Sequence, residues 1–190
     1  MQCGLLTEKE GNLLLKITRD NIRCYLENKD YQIPEDIPSI FREKLGVFVT
    51  LNINNNNLRG CIGYPEPYKP LIDAVLDVSI AAAVNDPRFM PLTLDEFQNI
   101  TIEISVLTKP TKVIVKDYNE YLDKLEVGVD GLIIESDYNR GLLLPQVPIE
   151  QNWDIEEFLE NLCYKAGLAS DAWMSATTDI FKFQAQIFQE

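Results

Sequence analysis

Val47, Val49, Leu51 and Ile53 alternate with Phe48, Thr50 and Asn52; four asparagines, Asn54 to Asn57, follow, and the chain resumes as Leu58-Arg59-Gly60-Cys61-Ile62-Gly63. An alternation of period two belongs to a strand with one buried face. An asparagine run tolerates left-handed backbone angles and so supplies a turn. Together they specify a β-hairpin and its register. Ile53 is predicted to oppose Leu58, Leu51 to oppose Gly60 and Val49 to oppose Ile62 on the core face. On the other face Asn52 opposes Arg59, Thr50 opposes Cys61 and Phe48 opposes Gly63. A slip of one residue would turn the apolar set to the wrong side.

Other elements arrange themselves around this hairpin. Thr7 with Glu10 forms a capping box that predicts a helix from about Glu8 to Glu27, with Leu13, Leu14, Ile17 and Cys24 inward. Pro34 and Pro38 forbid a regular element before the hairpin. Leu71 to Val84 reads as a mostly buried helix ending near Asn85-Asp86-Pro87-Arg88-Phe89. Thr93 with Glu96 caps a short helix through Phe97, and the alternation of Ile100, Ile102, Ile104 and Val106 gives a third strand. Within Lys112 to Leu125, Val113 to Val115 fits a strand and the rest a loop or a short helix. Val127 to Glu135 and Gly141 to Leu144 form a second hairpin about Asp137-Tyr138-Asn139-Arg140. Asp154 with Glu157 opens a helix that turns Phe158, Leu159, Leu162 and Cys163 inward and stops at Gly167, a left-handed cap. Asp179 to Phe188 reads as a final strand. Strands that come as hairpins, interleaved with helices, define an α+β fold: a mostly antiparallel curved sheet with helices packed against it. A hairpin followed by a helix in both halves points to a structural duplication.

The 190 residues fit one domain, residues 1–190, in two lobes, with ample length for a core. A net charge of −13 disfavours nucleic acid and anionic membrane surfaces as partners, because phosphate binding needs clustered Lys and Arg. The apolar tract at Leu71 to Val84 is too short, and too interrupted by Asp73 and Asp77, to span a bilayer. The start of the chain has no basic segment followed by an apolar one, so the cytoplasm is the expected compartment. Free thiols are expected there, and Cys3, Cys24, Cys61 and Cys163 show neither C-x-x-C nor zinc-finger spacing. No metal site is expected. With no histidine in the chain, every dyad or triad built on imidazole is excluded.

Cys61 therefore leads the candidates. On a regular strand residues i and i+2 share a face, roughly 6.6 Å apart. Arg59 in that position lowers the thiol's pKa or holds an anionic group. The plainer alternative makes Cys61 a small core residue and pairs Arg59 with a carboxylate. Gly60 and Gly63 read either as room for a ligand or as close packing. Arg88 joins Arg59 in an anion site, or pairs with Asp86 in a local turn. Glu103, on the polar face of the third strand, is the candidate base if that strand lies beside Leu58 to Gly63, and otherwise a salt-bridge partner. Asp73 and Asp77 share a helical face, as a carboxylate pair or a solvated stripe. Gln146 after Pro145 presents a polar group at a strand end, and Trp153 and Trp173 are packing residues.

Leu58 to Gly63 resembles the hallmark hexapeptide of the AMMECR domain family, named for the Alport syndrome, mental retardation, midface hypoplasia and elliptocytosis chromosomal region. Asp86-Pro87-Arg88-Phe89, Glu103-Ile104-Ser105-Val106-Leu107, Leu144-Pro145-Gln146-Val147, Trp153-Asp154 and Lys165-Ala166-Gly167 support the likeness in the same order. The resemblance covers most of the chain. It implies an α+β fold of two related halves around a curved sheet, and association with a Memo-like protein and a radical S-adenosylmethionine protein. It implies no particular reaction or cofactor. Two functions follow as expectations. One is an enzyme or enzyme component in which Cys61 and Arg59 act on a small anionic or polar substrate, with Glu103 or Asp86 moving a proton. The other is a non-catalytic module whose hexapeptide face docks a protein partner or a small ligand.

Overall fold

The structure is a computed structural model that describes residues 5–54 and 57–190. Cys3 and the middle of the asparagine run, Asn55 and Asn56, lie outside those residues. Helix α1 (Glu8–Leu26) starts on the predicted capping box, in which Thr7 and Glu10 satisfy each other's backbone N–H groups. Leu14, Leu15, Ile17 and Ile22 are buried, whereas Cys24 is only half-buried and not the core residue expected. After a 3-10 turn at Ser39–Arg42 the hairpin strands follow, β1 (Gly46–Ile53) and β2 (Asn57–Tyr64). Helix α2 (Leu71–Val84) has the predicted bounds and buries most of its length. A second reciprocal box, Thr93 with Glu96, opens the short helix α3 (Leu94–Phe97), and β3 (Ile100–Leu107) pairs antiparallel to β1.

The remaining chain holds β4 (Thr111–Lys112), α4 (Glu120–Lys124), β5 (Gly131–Ser136), β6 (Asn139–Leu143), α5 (Gln146–Gln151), α6 (Ile155–Lys165), a 3-10 turn at Ala172–Met174, β7 (Asp179–Phe183) and β8 (Ala185–Gln189). The second hairpin begins at Gly131 and not at Val127, because Gly128 takes a left-handed turn just before it. Asp154 and Glu157 cap α6, which buries Phe158, Leu159, Leu162 and Cys163 as predicted and is followed by Gly167 at φ +72°.

The single last strand predicted over Asp179 to Phe188 is two strands. Gln184 breaks it: its N–H donates to Thr108 Oγ1 at 2.8 Å and its carbonyl accepts from Thr108 N at 2.9 Å. The chain on either side then joins different sheets. One four-stranded sheet has the order β2-β1-β3-β8 and the other β4-β7-β5-β6. The first belongs to a compact unit running to Leu107 and completed by Gln186–Glu190; the second belongs to a unit spanning Thr108–Ala185. Each unit has its own core. Val47, Val49, Leu51, Ile102 and Ile104 are fully buried in the first, and Leu132, Ile134, Phe158 and Leu162 in the second. Each such side chain contributes about 1.5–3 kcal/mol.

The units repeat one plan. In each, the second strand of a hairpin lies at the sheet edge, the first strand is next, a third strand pairs antiparallel to it, and a helix follows the hairpin. Leu51 pairs with Gly60 and Ile102 in the first unit; Ile134 pairs with Gly141 and Ile180 in the second. One residue along, the row Cys61, Thr50, Glu103 corresponds to Leu142, Ile133, Phe181. The polar row is thus peculiar to the first unit, against an apolar one in its counterpart. Among the described residues no helix is long and apolar enough to cross a membrane.

Candidate functional site

The hairpin ladder follows the predicted register from Val47–Tyr64 to Leu51–Gly60 and then slips, so that Asn52 opposes Leu58 and Ile53 opposes Asn57. Arg59 is the extra residue of a bulge. A bulge kinks the strand and re-aims its side chains, so the i, i+2 rule that put Arg59 beside Cys61 does not hold across it. Arg59 is buried. Its Nε and Nη2 donate to both carboxylate oxygens of Glu96 at 3.2 and 3.1 Å, and Nη2 also donates to the Met90 carbonyl at 2.9 Å. The guanidinium carbon stands 5.8 Å from the centre of the Phe89 ring. Glu96 serves two neighbours, since its Oε2 also accepts from Thr93 N at 3.1 Å. Arg59 first, then the Thr93 N–H, hold the Glu96 carboxyl below its usual pKa. The sequence offered Thr93 and Glu96 only as a helix cap; the arginine clamp went unseen because it joins residues 37 apart.

Cys61 is half-buried, and its partners come from elsewhere. Thr50 Oγ1 donates to Sγ at 3.3 Å, from the cross-strand position the register predicts. The Cys61 N–H donates to Asp86 Oδ2 at 2.8 Å, and its carbonyl accepts from Arg88 Nη2 at 3.4 Å. These bonds follow from topology. β2 is an edge strand, so its outward N–H and C=O groups need partners outside the sheet. The turn after α2 brings them. Asp86 is buried and also accepts from Arg88 N at 3.1 Å, Nε at 2.9 Å and Nη2 at 2.7 Å. The Arg88 guanidinium foremost, with N–H groups of Cys61 and Arg88 adding to it, holds the Asp86 carboxyl far below the ordinary carboxylate range despite burial. Of the two readings of Arg88, pairing with Asp86 is the one observed.

The glycines pack against protein. A Cβ on Gly60 would stand 2.1 Å from the carbonyl oxygen of Ala82 in α2, and one on Gly63 would meet the Phe48 ring at 2.3 Å. Of the two readings of Gly60 and Gly63, close packing is the one these contacts describe on the side where a Cβ would stand. The corresponding Gly141 of β6 likewise lies under α6, with a Cβ 2.7 Å from Ala166 N. Glu103 shares a cross-strand row with Cys61, but β3 does not neighbour β2, the condition on which its reading as a base depended. Thr50 of β1 lies between them, which separates Glu103 from Cys61 by two strand spacings, roughly 10 Å. Gln146 begins α5 in the other unit instead of ending a strand. Asp77 pairs with Lys69. Cys61, Asp86 and Arg88 are therefore the sequence candidates that the structure brings together.

Two units of hairpin and helix, the first holding a glycine-flanked cysteine on an edge strand tied down by an Asp-Pro-Arg-Phe turn, define a distinct class of α+β protein. A protein of Methanococcus aeolicus is 53% identical over 97% of this chain and 93% of its own length. One of Methanothermobacter thermautotrophicus is 50% identical, over 100% of this chain and 99% of its own. The crystal structure of uncharacterized protein PH0010 from Pyrococcus horikoshii, 45% identical, is similar with a TM-score of 0.88 over 98% of this chain and 94% of that one. The family model AMMECR1 matches residues 15–188, and the chain belongs to that family.

Proposed function

We propose that the hexapeptide region is a binding surface for a protein partner and not a catalytic centre. One observation carries this reading: the charged groups of the motif are spent on holding β2. Arg59 is clamped by Glu96 and Met90, and Asp86 by Cys61 and Arg88. A catalytic arginine or carboxylate needs a free face toward substrate, whereas a docking surface needs rigid backbone under outward side chains. Those side chains are present around Arg59. Met90 is 80% exposed, Leu58 41% and Leu94 40%, with the exposed Arg88 beside Phe89. Methionine, aromatic residues and arginine are the types enriched in protein interfaces. The family resemblance supplies the partners to try, a Memo-like protein and a radical S-adenosylmethionine protein of the same organism. Titration of each purified protein should give a complex that Met90→Asp weakens at least about tenfold, the loss of one central contact, while Cys61→Ser leaves it unchanged. Equal affinity of wild type and Met90→Asp, or no complex with either protein, removes the proposal.

A second reading rests on the Thr50 hydroxyl. Its donation at 3.3 Å fixes the position of the half-buried Sγ, a free thiol sulfur of the kind that attacks electrophiles. On this reading Cys61 reacts with a small polar substrate. Iodoacetamide at neutral pH should then label Cys61 ahead of Cys24, also half-buried, and of Cys163, whose thiol pKa burial pushes up. Labelling of Cys61 no faster than Cys24 excludes it.

A further inference from the structure

In the second unit the ladder between β4 and β7 breaks off early. It pairs Thr111 with Lys182 and Lys112 with Phe181, and Val113 N–H then donates to the Ile180 carbonyl at 2.8 Å. Along an antiparallel strand the backbone groups turn alternately toward one neighbour and away from it. By that alternation the Ile114 carbonyl turns away from β7, and it accepts from Lys124 Nζ at 2.8 Å. Val115 turns back toward the line of β7, where the same register would set it opposite Thr178. That rung is not made. The Thr178 N–H is folded into a turn and donates to the Ser175 carbonyl at 3.1 Å. The Val115 N–H and C=O have no hydrogen-bond partner among the described residues. A cleft of about 440 Å³ opens at this point, lined by both segments, residues 112–118 and residues 173–176, 178 and 179.

A donor and an acceptor offered together by one strand residue are matched by the backbone of another extended chain. The side chains of the wall say which part of a chain. Ile114 is 70% exposed, Tyr118 39% and Met174 38%, an apolar lip for an apolar side chain. Both acids of the wall are engaged: Asp179 pairs with Lys112 at 2.7 Å, and Asp117 accepts from Asn119 N and Nδ2 at 2.9 and 2.6 Å. Lys116, exposed in the same wall, has no ion pair among the described residues. The charge left to meet a ligand is therefore positive, and its complement is a carboxylate. We infer that this cleft binds the C-terminal end of an extended peptide. One residue of the peptide exchanges two backbone hydrogen bonds with Val115, its last side chain is apolar and lies against Tyr118 and Met174, and its terminal carboxylate faces Lys116. No residue of the hexapeptide lines the cleft, so the inference is independent of the docking proposal.

The test uses the ¹⁵N-labelled full chain and the tripeptide acetyl-alanyl-alanyl-leucine. Titration should move the Val115 backbone N–H signal downfield and saturate at millimolar concentration. The C-terminal amide of the same peptide should bind roughly threefold more weakly, as loss of one exposed charge contact does. Lys116→Gln should weaken the acid by the same factor and leave the amide unaffected. The tripeptide methylated on every backbone nitrogen keeps the side chain and the carboxylate but donates nothing to the Val115 carbonyl, and it should give no saturable shift. Replacing the acetyl group by a free ammonium distinguishes the sources: equal affinity marks the tail of a longer chain, and tighter binding of the free amine marks a free peptide. No saturable shift of Val115 N–H with the acetylated tripeptide, an equal shift with the methylated one, or equal affinity for acid and amide overturns the inference.

Discussion

Gly60→Ala is expected to cost about 3 kcal/mol or more, the upper end of overpacking in a closed interior. The added methyl would stand 2.1 Å from the Ala82 carbonyl oxygen and 3.2 Å from its carbon. These are backbone atoms inside α2, so no side-chain rotation relieves the clash. Either β2 or α2 must shift. α2 is held by Leu71, Val75, Val78 and Ala82, all buried, and β2 is pinned next to Gly60 by the bond from Cys61 N–H to Asp86. Neither can yield without losing contacts elsewhere. Gly167→Ala is the control. It has open space around it, with Asn139 Nδ2 at 3.6 Å, and pays only for a left-handed φ of +72°, about 1 kcal/mol. Urea unfolding should be followed by far-ultraviolet circular dichroism, because both tryptophans lie in the second unit. A midpoint for Gly60→Ala no lower than that of Gly167→Ala shows that β2 does not sit against α2 in this way.

What the sequence could tell divides along the line between local and non-local causes. Thr7 with Glu10, Thr93 with Glu96 and Asp154 with Glu157 each began a helix where expected, because a capping box is closed by residues three apart. The α+β class and antiparallel pairing followed from the hairpin patterns. The bulge at Arg59 was hidden, since a period-two pattern contains no sign of an unpaired residue, and it moved the guanidinium from Cys61 to Glu96. The break at Gln184 was hidden as well. The alternation of Phe181, Phe183, Ala185 and Ile187 runs through it unchanged, while the cause, Thr108, is 76 residues away. Helix α5 tolerates Pro148 because it is the third residue, within the first turn, where a missing N–H breaks no helical bond. Within the candidate site, the Thr50–Cys61 contact was legible from register alone, but the order β2-β1-β3 that separates Glu103 from the thiol was not.

Asp86→Asn is expected to lose about 2–4 kcal/mol at neutral pH, the range for uncoupling a buried, hydrogen-bonded ion pair. The carboxylate takes Cys61 N–H on one oxygen and Arg88 on both. An amide offers one oxygen and turns an NH₂ toward donors, so either the edge strand or the arginine loses its acceptor. Because Arg88 is 54% exposed and Asp86 only 2%, the loss falls mainly on the buried side, and Arg88→Ala should cost less, about 1 kcal/mol. The same asymmetry sets a pH signature. The folded-state pKa of Asp86 lies below its unfolded value, so the ionised form stabilises the fold. That contribution is complete above about pH 5, declines as pH falls past the unfolded value near about 3.9, and is gone once the folded carboxyl is protonated. Stability of the wild type should therefore fall more steeply than that of Asp86→Asn between about pH 5 and pH 2, and the two curves should converge in acid. Parallel curves would mean that another carboxylate governs the acid limb and that the tie between the Asp86 turn and Cys61 contributes little. Convergence would place the acid-sensitive element of the first unit at the point where the hexapeptide is fastened.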